Sequence, residues 1–288
     1  MRYDKIRFTR YDKLCVIAAT NSKTEDGKTV DYIRMARIAA RRVKHYLGIP
    51  TFLITNSLMN VPLDDDFLGV LYGYTPTTLS TREVLAGSDI IKYTWINDMR
   101  IQAYERTYDL AKKILMIDAD YMVSTNLLYH WLEIDSPFQI FDRAYDVSGR
   151  GINNEVRFPS KDIVQRWATA MCWEPGPKAE AIFETAKMVR ENYAFYALML
   201  GMPTSPFRND VAFSVACHLH NVPESLPIPL YNVPVDTDII KPRWAPEEEW
   251  ILGTGTDIFA WKSDMHVMNK NYAINPMLMD RLRLHEPT

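Results

Sequence analysis

Hydrophobic positions along the chain fall into short continuous runs separated by helix-period stretches. Leu14-Cys-Val-Ile-Ala-Ala-Thr20 is an unbroken apolar run, the pattern of a strand covered on both faces. A polar loop, Asn21 to Gly27, follows. From about Val30 to Leu47 the apolar residues Ile33, Ala36, Ala40, Val43 and Leu47 recur at helical spacing, and Gly48-Ile-Pro50 supplies a stop. Thr51-Phe-Leu-Ile-Thr55 reads as the next strand, so the protein opens strand, helix, strand. Residues 60–95 break into short strands and loops around Gly69, Gly73 and Pro76. Asn97-Asp98 predicts the cap of a helix to about Leu110, which delivers the chain into a strand at Ile114–Ile117.

The second half alternates less regularly. Ser124-Thr-Asn126 caps a short helix ending near Trp131, and Phe138–Asp142 is a strand. Tyr145 to Ser160, with Ser-Gly-Arg-Gly, reads as a mobile loop. Trp167–Trp173 is a strand closed by Glu174-Pro-Gly-Pro177, followed by a helix from about Lys178 to Leu200. Phe207-Arg-Asn-Asp210 opens another helix to about His220. The proline-rich remainder carries strands at Ile258–Trp261 and Met265–Val267. With no internal repeat or linker, the expectation is one α/β domain with a Rossmann-like, mixed but mostly parallel central sheet.

One stretch carries candidate chemistry. In Lys113-Ile-Leu-Met-Ile-Asp118-Ala-Asp120-Tyr-Met-Val123 an apolar run of four ends in two carboxylates one residue apart. A turn at Ala119 would leave both acids at the strand's C-terminal end, where parallel sheets present their ligand crevice. Paired carboxylates there suit a hard divalent ion that itself holds a phosphate. Two other Asp-x-Asp triplets exist, Asp64/Asp66 and Asp236/Asp238, but neither follows so clean a buried run.

Composition narrows the classes. Charged residues make up 24% and hydrophobic ones 47%, which supports a packed globular core rather than disorder. A net charge of −3 gives the whole molecule no basic field for nucleic acid. Cys15, Cys172 and Cys217 lack metal or redox spacing and read as buried thiols of a reducing compartment. The charged first residues carry no signal pattern, and no apolar stretch approaches the ~20 residues that cross a bilayer. A soluble, cytoplasmic protein is the expectation.

Four segments in matching order resemble the GT-A glycosyltransferases, most nearly the glycogenin-like retaining enzymes and their bacterial relatives. They are Ala18-Ala-Thr-Asn21 with Tyr32, the Asp118-Ala-Asp120 strand, Ala168-Thr-Ala-Met-Cys-Trp-Glu-Pro175 with Asn209-Asp210 after its helix, and Met265-His266-Val-Met-Asn-Lys270. The chain departs from the family pattern at Asn269, which replaces glycine, at Lys270, two residues early, at Val211, which replaces glutamine, and at Thr169-Ala170, which replaces Ser/Gly sites.

The resemblance implies a metal-dependent transferase that moves a hexose or pentose from a nucleotide sugar, a UDP-sugar by analogy, with residues about 1–125 holding the nucleotide and about 126–288 the acceptor. It implies Asp118, Asp120 and His266 as ligands of Mn²⁺ or Mg²⁺, with Thr20, Asn21, Tyr32, Asp118 and Ala119 contacting the nucleotide. Arg100 and Lys270 would stabilise phosphate charge, and Asp210 would orient the sugar or acceptor or act as a base. Each has a plain alternative: His266 as a satisfied core or surface histidine, Lys270 as a surface charge, Arg100 paired with Glu105 or Asp98, Tyr32 as helix packing, and Asp210 as a helix cap. Asp142 and Arg143 are weaker candidates for sugar contacts. The acceptor stays open between a saccharide, a protein and a DNA base modified as in phage-type glycosylation. The DNA reading draws on the first 45 residues, which hold twelve Lys/Arg against five Asp/Glu, including Arg34, Arg37, Arg41, Arg42 and Lys44. A solvated helix face explains the same stripe. Two other classes compete. A sugar-nucleotidyltransferase would need a glycine-rich phosphate loop, and Thr20 to Gly27 has one glycine. A non-catalytic nucleotide-binding module would keep the fold alone.

Overall fold

The computed structural model describes residues 11–56, 66–74, 80–86, 89–95, 98–148, 158, 163–202, 206–224, 228–240 and 250–284. The first half contains β1 (Tyr11–Ala18), β2 (Ser22–Lys23), β3 (Thr29–Val30), α1 (Tyr32–Leu47), β4 (Thr51–Thr55), β5 (Gly69–Tyr72), β6 (Ser80–Ala86), β7 (Asp89–Trp95), α2 (Ala103–Thr107), β8 (Ala111–Asp118) and β9 (Tyr121–Met122). It continues through α3 (Leu127–Glu133), β10 (Phe138–Phe141), β11 (Ala144–Asp146), β12 (Trp167–Trp173), α4 (Pro177–Glu191), α5 (Tyr193–Met199) and α6 (Asn209–Leu219). The end of the chain adds β13 (Leu230–Val233), β14 (Asp238–Ile240), β15 (Trp250–Gly253), β16 (Ile258–Trp261), β17 (Met265–Val267), α7 (Asn271–Ile274) and α8 (Pro276–Asp280).

A six-stranded sheet in the order β10-β12-β8-β1-β4-β5 forms the centre. β8, β1, β4 and β5 run parallel, whereas β12 pairs antiparallel with β8 at one side and β10 pairs antiparallel with β12, which returns it to the direction of β8. Alternation along each strand divides the core into two layers. Cys15, Ile17, Leu115 and Ile117 face the side covered by α1 and the C-terminal elements. Leu14, Val16, Ile114 and Met116 face the side covered by α4 and α6. Burial on both faces explains why β1 and β8 read as continuous apolar runs.

Local chemistry sets the ends of α1. The Asp31 side chain accepts from the Arg34 amide at the start, and Gly48 ends the helix at φ 66°, where its N–H reaches the Lys44 carbonyl. Asn21 reinforces the start by accepting from the Ile33 amide at 2.9 Å. The basic stripe on this helix is largely engaged within the protein. Arg34 pairs with Asp280, and Arg41 with Asp66. Arg42 is 2% exposed, donates to the Leu282 and Val123 carbonyls, and lies over the Trp250 ring.

Three expectations change. The helix expected from Asn97-Asp98 to Leu110 is a 3-10 turn at Asp98–Arg100 followed by the five-residue α2. Tertiary bonds favour the break, because Asp98 pairs with Arg190 of α4 and the Gln102 amide brackets the Tyr74 backbone. Asn97 lies outside the described residues. The long helix expected at Lys178–Leu200 divides into α4 and α5 at Asn192, whose side chain and backbone amide both donate to the Met188 carbonyl. The loop expected at Tyr145–Ser160 begins as β11, and its positions 149–157 and 159–160 lie outside the described residues, as does Pro76. The irregular C-terminal part also holds a strand that prolines concealed: β13 joins the expected β17, with β11 and β9, in a second sheet ordered β11-β13-β17-β9.

Candidate metal and diphosphate site

The two sheets meet at Asp118 and Asp120. β8 ends at Asp118, a turn carries Ala119 and Asp120, and β9 pairs antiparallel with β17. Parallel register places Asp118 beside Ala18 at the C-terminal edge of the central sheet. The Asp120 carbonyl accepts from the Val267 amide at 2.9 Å, so a backbone bond fixes the acidic turn against the residue after His266. Folding therefore brings together residues nearly 150 positions apart in sequence.

Ligand atoms of Asp118, Asp120 and His266 all lie within 4.8 Å of one another. Opposite ligands of a first-row divalent ion with bonds of ~2.0–2.3 Å stand roughly 4–4.5 Å apart, so one ion fits this set with small adjustments. Two carboxylates and one imidazole suit Mn²⁺ better than Ca²⁺, which takes an all-oxygen shell. His266 Nε2 stands 3.3 Å from Asp120 Oδ1, and its Nδ1 stands 2.9 Å from Asn232 Oδ1. Both aspartates are 6% exposed.

Two cations complete the cluster. Lys270 Nζ donates to Asp120 Oδ2 at 2.6 Å and lies 5.7 Å from the centre of the Tyr32 ring. Arg100 pairs with Asp118 rather than with Glu105 or Asp98, and its Nη1 donates to the Ala168 carbonyl. Two carboxylates thus face two fixed cations. Burial acts most strongly on Asp120 and would raise its carboxyl, but the charges of Lys270 and His266 outweigh it and hold the group far below the usual carboxylate range. Burial also weakens Arg100's hold on its proton, opposed by Asp210, Asp120 and Tyr32 nearby.

Asp210 sits in the first turn of α6, where Oδ1 accepts from the Ala168 amide at 2.8 Å. Ala168 therefore ties β12 to Asp210 through its N–H and to Arg100 through its carbonyl. Thr20 is buried and bonds Asn56, while Asn21 bonds Asp31 and the Ile33 amide. Ala119 is buried between the acids. Asp142 lies in a buried ion pair with Arg166 at 3.0 Å, and Arg143 reaches Glu224 at 3.7 Å near the surface.

Two residues of this region escaped the sequence reading. Asp264 Oδ1 accepts from the Ser124 and Thr125 amides and the Thr125 hydroxyl, which pins the segment after the acidic turn to the start of β17. Asn232 backs His266 from β13, a strand flanked by Pro229 and Pro234 and so without a periodic signal.

No protein-family model matches the chain, and no curated protein matches it. Among solved structures, the glycosyltransferase GlyE of Streptococcus pneumoniae TIGR4 is similar at 14% identity and a TM-score of 0.41, over 75% of this chain and 45% of GlyE. The present chain thus spans less than half of GlyE's length. The galactosyltransferase LgtC, solved with donor and acceptor sugar analogues, shows 14% identity and a TM-score of 0.40 over 70% of each chain. An active-site variant of LgtC gives a TM-score of 0.41 over 70% of this chain and 69% of that one. These neighbours are glycosyltransferases. Overlap at this level is too shallow to transfer a substrate or a residue role.

Proposed function

We propose that this protein is a metal-dependent glycosyltransferase that moves a sugar from a nucleoside-diphosphate sugar, a UDP-sugar, to a hydroxyl-bearing acceptor. The supporting observation is the convergence of Asp118, Asp120 and His266 with Lys270 and Arg100 at the C-terminal edge of a mostly parallel sheet. In this reading residues of about 1–125 hold the nucleotide and those of about 126–288 the acceptor.

Asp118, Asp120 and His266 would hold Mn²⁺ or Mg²⁺, which supplies Lewis-acid neutralisation of the departing diphosphate. Lys270 exchanges part of its contact with Asp120 for a diphosphate oxygen, so positive charge already stands where negative charge develops. Arg100 offers a planar fork to the same group. The half-buried Tyr32 ring, beside Lys270, presents a face to the base, with Thr20, Asn21 and the Ala119 backbone as hydrogen-bonding edges. Asp210 orients the sugar or acceptor against Ala168 or accepts a proton from the acceptor hydroxyl. Engagement of Arg34 and Arg41 in ion pairs and burial of Arg42 remove much of the support for a DNA-base acceptor, which leaves saccharide and protein hydroxyls ahead.

Thermal melting with Mn²⁺, UDP and both together tests the donor site. A working site stabilises the protein by RT ln(1 + [L]/Kd), about 2.7 kcal/mol at a hundredfold excess over Kd, with UDP effective only beside the metal. A donor-hydrolysis screen across nucleotide sugars with Mn²⁺, then saccharide, protein and hydroxymethylated-DNA acceptors, identifies both substrates. Asp118→Ala or Asp120→Ala with hydrolysis and stabilisation intact would defeat the proposal.

A further inference from the structure

The polar side of the small sheet holds a feature that the metal reading does not use. Strand register aligns Asp146 with Asn232, Asn232 with His266 and His266 with Tyr121, so these four residues form one cross-strand row. Asn232 is 4% exposed, and its backbone is held by the Val147 amide. Its side chain has little freedom and ends 2.9 Å from His266 Nδ1.

We infer that Asn232 is a positioning residue that fixes the tautomer of His266, keeping the proton on Nδ1 and the Nε2 lone pair toward Asp118 and Asp120. The carboxamide oxygen only accepts, so the ring nitrogen facing it must carry the hydrogen. An ion is bound by the neutral imidazole, which has one N–H; with Asn232 holding that hydrogen on Nδ1, the nitrogen freed for the ion is Nε2, on the side of the carboxylates. With the amide reversed, Nδ1 would accept, Nε2 would carry the hydrogen, and the ring would present no lone pair to an ion. Anchoring the far nitrogen also stops rotation about the ring's own axis, so an ion meets a ligand already aimed. Removal of such a partner costs roughly 10- to 100-fold in metal affinity.

The inference rests on the proposed metal site, and two readouts separate their fates. Asn232→Ala and Asn232→Asp are compared with the unaltered protein by electron paramagnetic resonance titration of Mn²⁺, alone and with UDP. Expected is a 10- to 100-fold weaker Kd for Asn232→Ala, and recovery to within a few-fold in Asn232→Asp, which restores the acceptor oxygen. In parallel, ¹⁵N-histidine NMR of the protein without metal, recorded at alkaline pH where the ring is neutral and with His266→Gln to assign the signal, should show Nδ1–H in the unaltered protein and loss of that preference in Asn232→Ala. Mn²⁺ binding by Asn232→Ala within twofold of the unaltered protein, or an Nε2–H ring in the unaltered protein, would overturn the inference. Failure of the unaltered protein to bind Mn²⁺ would instead defeat the metal site, with the tautomer still decided by NMR.

Discussion

Arg42 separates two ways of understanding the basic helix. As one more charge on a solvated face, its replacement by alanine would change stability by less than about 0.5 kcal/mol. In the fold it is 2% exposed, with Nε 2.8 Å from the Leu282 carbonyl, Nη1 3.2 Å from the Val123 carbonyl, and the guanidinium carbon 4.1 Å from the Trp250 ring centre. Arg42→Ala strips a partner from two buried carbonyls, each worth about 1–3 kcal/mol when left unpaired. It also removes a desolvated cation–π contact of about 2 kcal/mol. Relief from burying a charge offsets several kcal/mol of this sum, so the net expectation is about 3 kcal/mol. At about 2.1 cal/mol/K per residue, a chain of this length unfolds with an entropy near 0.6 kcal/mol/K, so Tm should fall by about 5 °C. Arg42→Lys, which keeps the charge but loses the fork, should fall between the two. Calorimetry and urea unfolding in the absence of metal measure both variants. A Tm within about 1 °C of the unaltered protein would refute the tethering role, and with it the claim that this arginine joins α1 to the chain just after the acidic turn.

Other outcomes follow from the same geometry. Lys270→Met should have effects of opposite sign: bare Mn²⁺ binds roughly three- to tenfold tighter, because a competing cation has left Asp120, while Mn²⁺–UDP binds more weakly because the diphosphate has lost a counter-charge. Isothermal titration reads both, and parallel changes would contradict the proposed exchange of Lys270 between Asp120 and phosphate. Gly48→Ala meets no atom within 4 Å but must hold φ 66°, so it should cost about 1 kcal/mol through backbone strain alone, measured by urea unfolding. Burial pushes the thiols of Cys15, Cys172 and Cys217 up to about 12 from 9.0. All three should stay silent to a thiol reagent at pH 8 until the protein unfolds. Because the raised thiols favour the protonated fold, their contribution is complete below pH 9 and declines as pH climbs toward 12. Rapid labelling of any of the three at pH 8 in the folded protein would refute their burial.

What the sequence determined by itself is the central sheet and its acidic end. β4 and β12 occupy Thr51–Thr55 and Trp167–Trp173, the ranges their apolar runs mark out, because strands buried on both sides leave little room for charged residues. The turn after Asp118 is equally legible, since two carboxylates cannot continue a buried strand. Helix length was less legible: Asn192 and the Asp98–Arg190 pair interrupt periodic stretches through bonds that periodicity does not register. Tertiary structure alone decided the partners of the site. Asn232 reaches His266 because β13 pairs with β17, Arg100 reaches Asp118 from the 3-10 turn at Asp98–Arg100, and Lys270 reaches Asp120 because the small sheet folds against the edge of the large one. Tertiary structure also turned Arg42 from an apparent surface charge into an internal tether. A hydrophobic pattern records which face of an element meets water, whereas a hydrogen bond or ion pair between distant segments depends on how those faces meet, and that information is written nowhere along the chain.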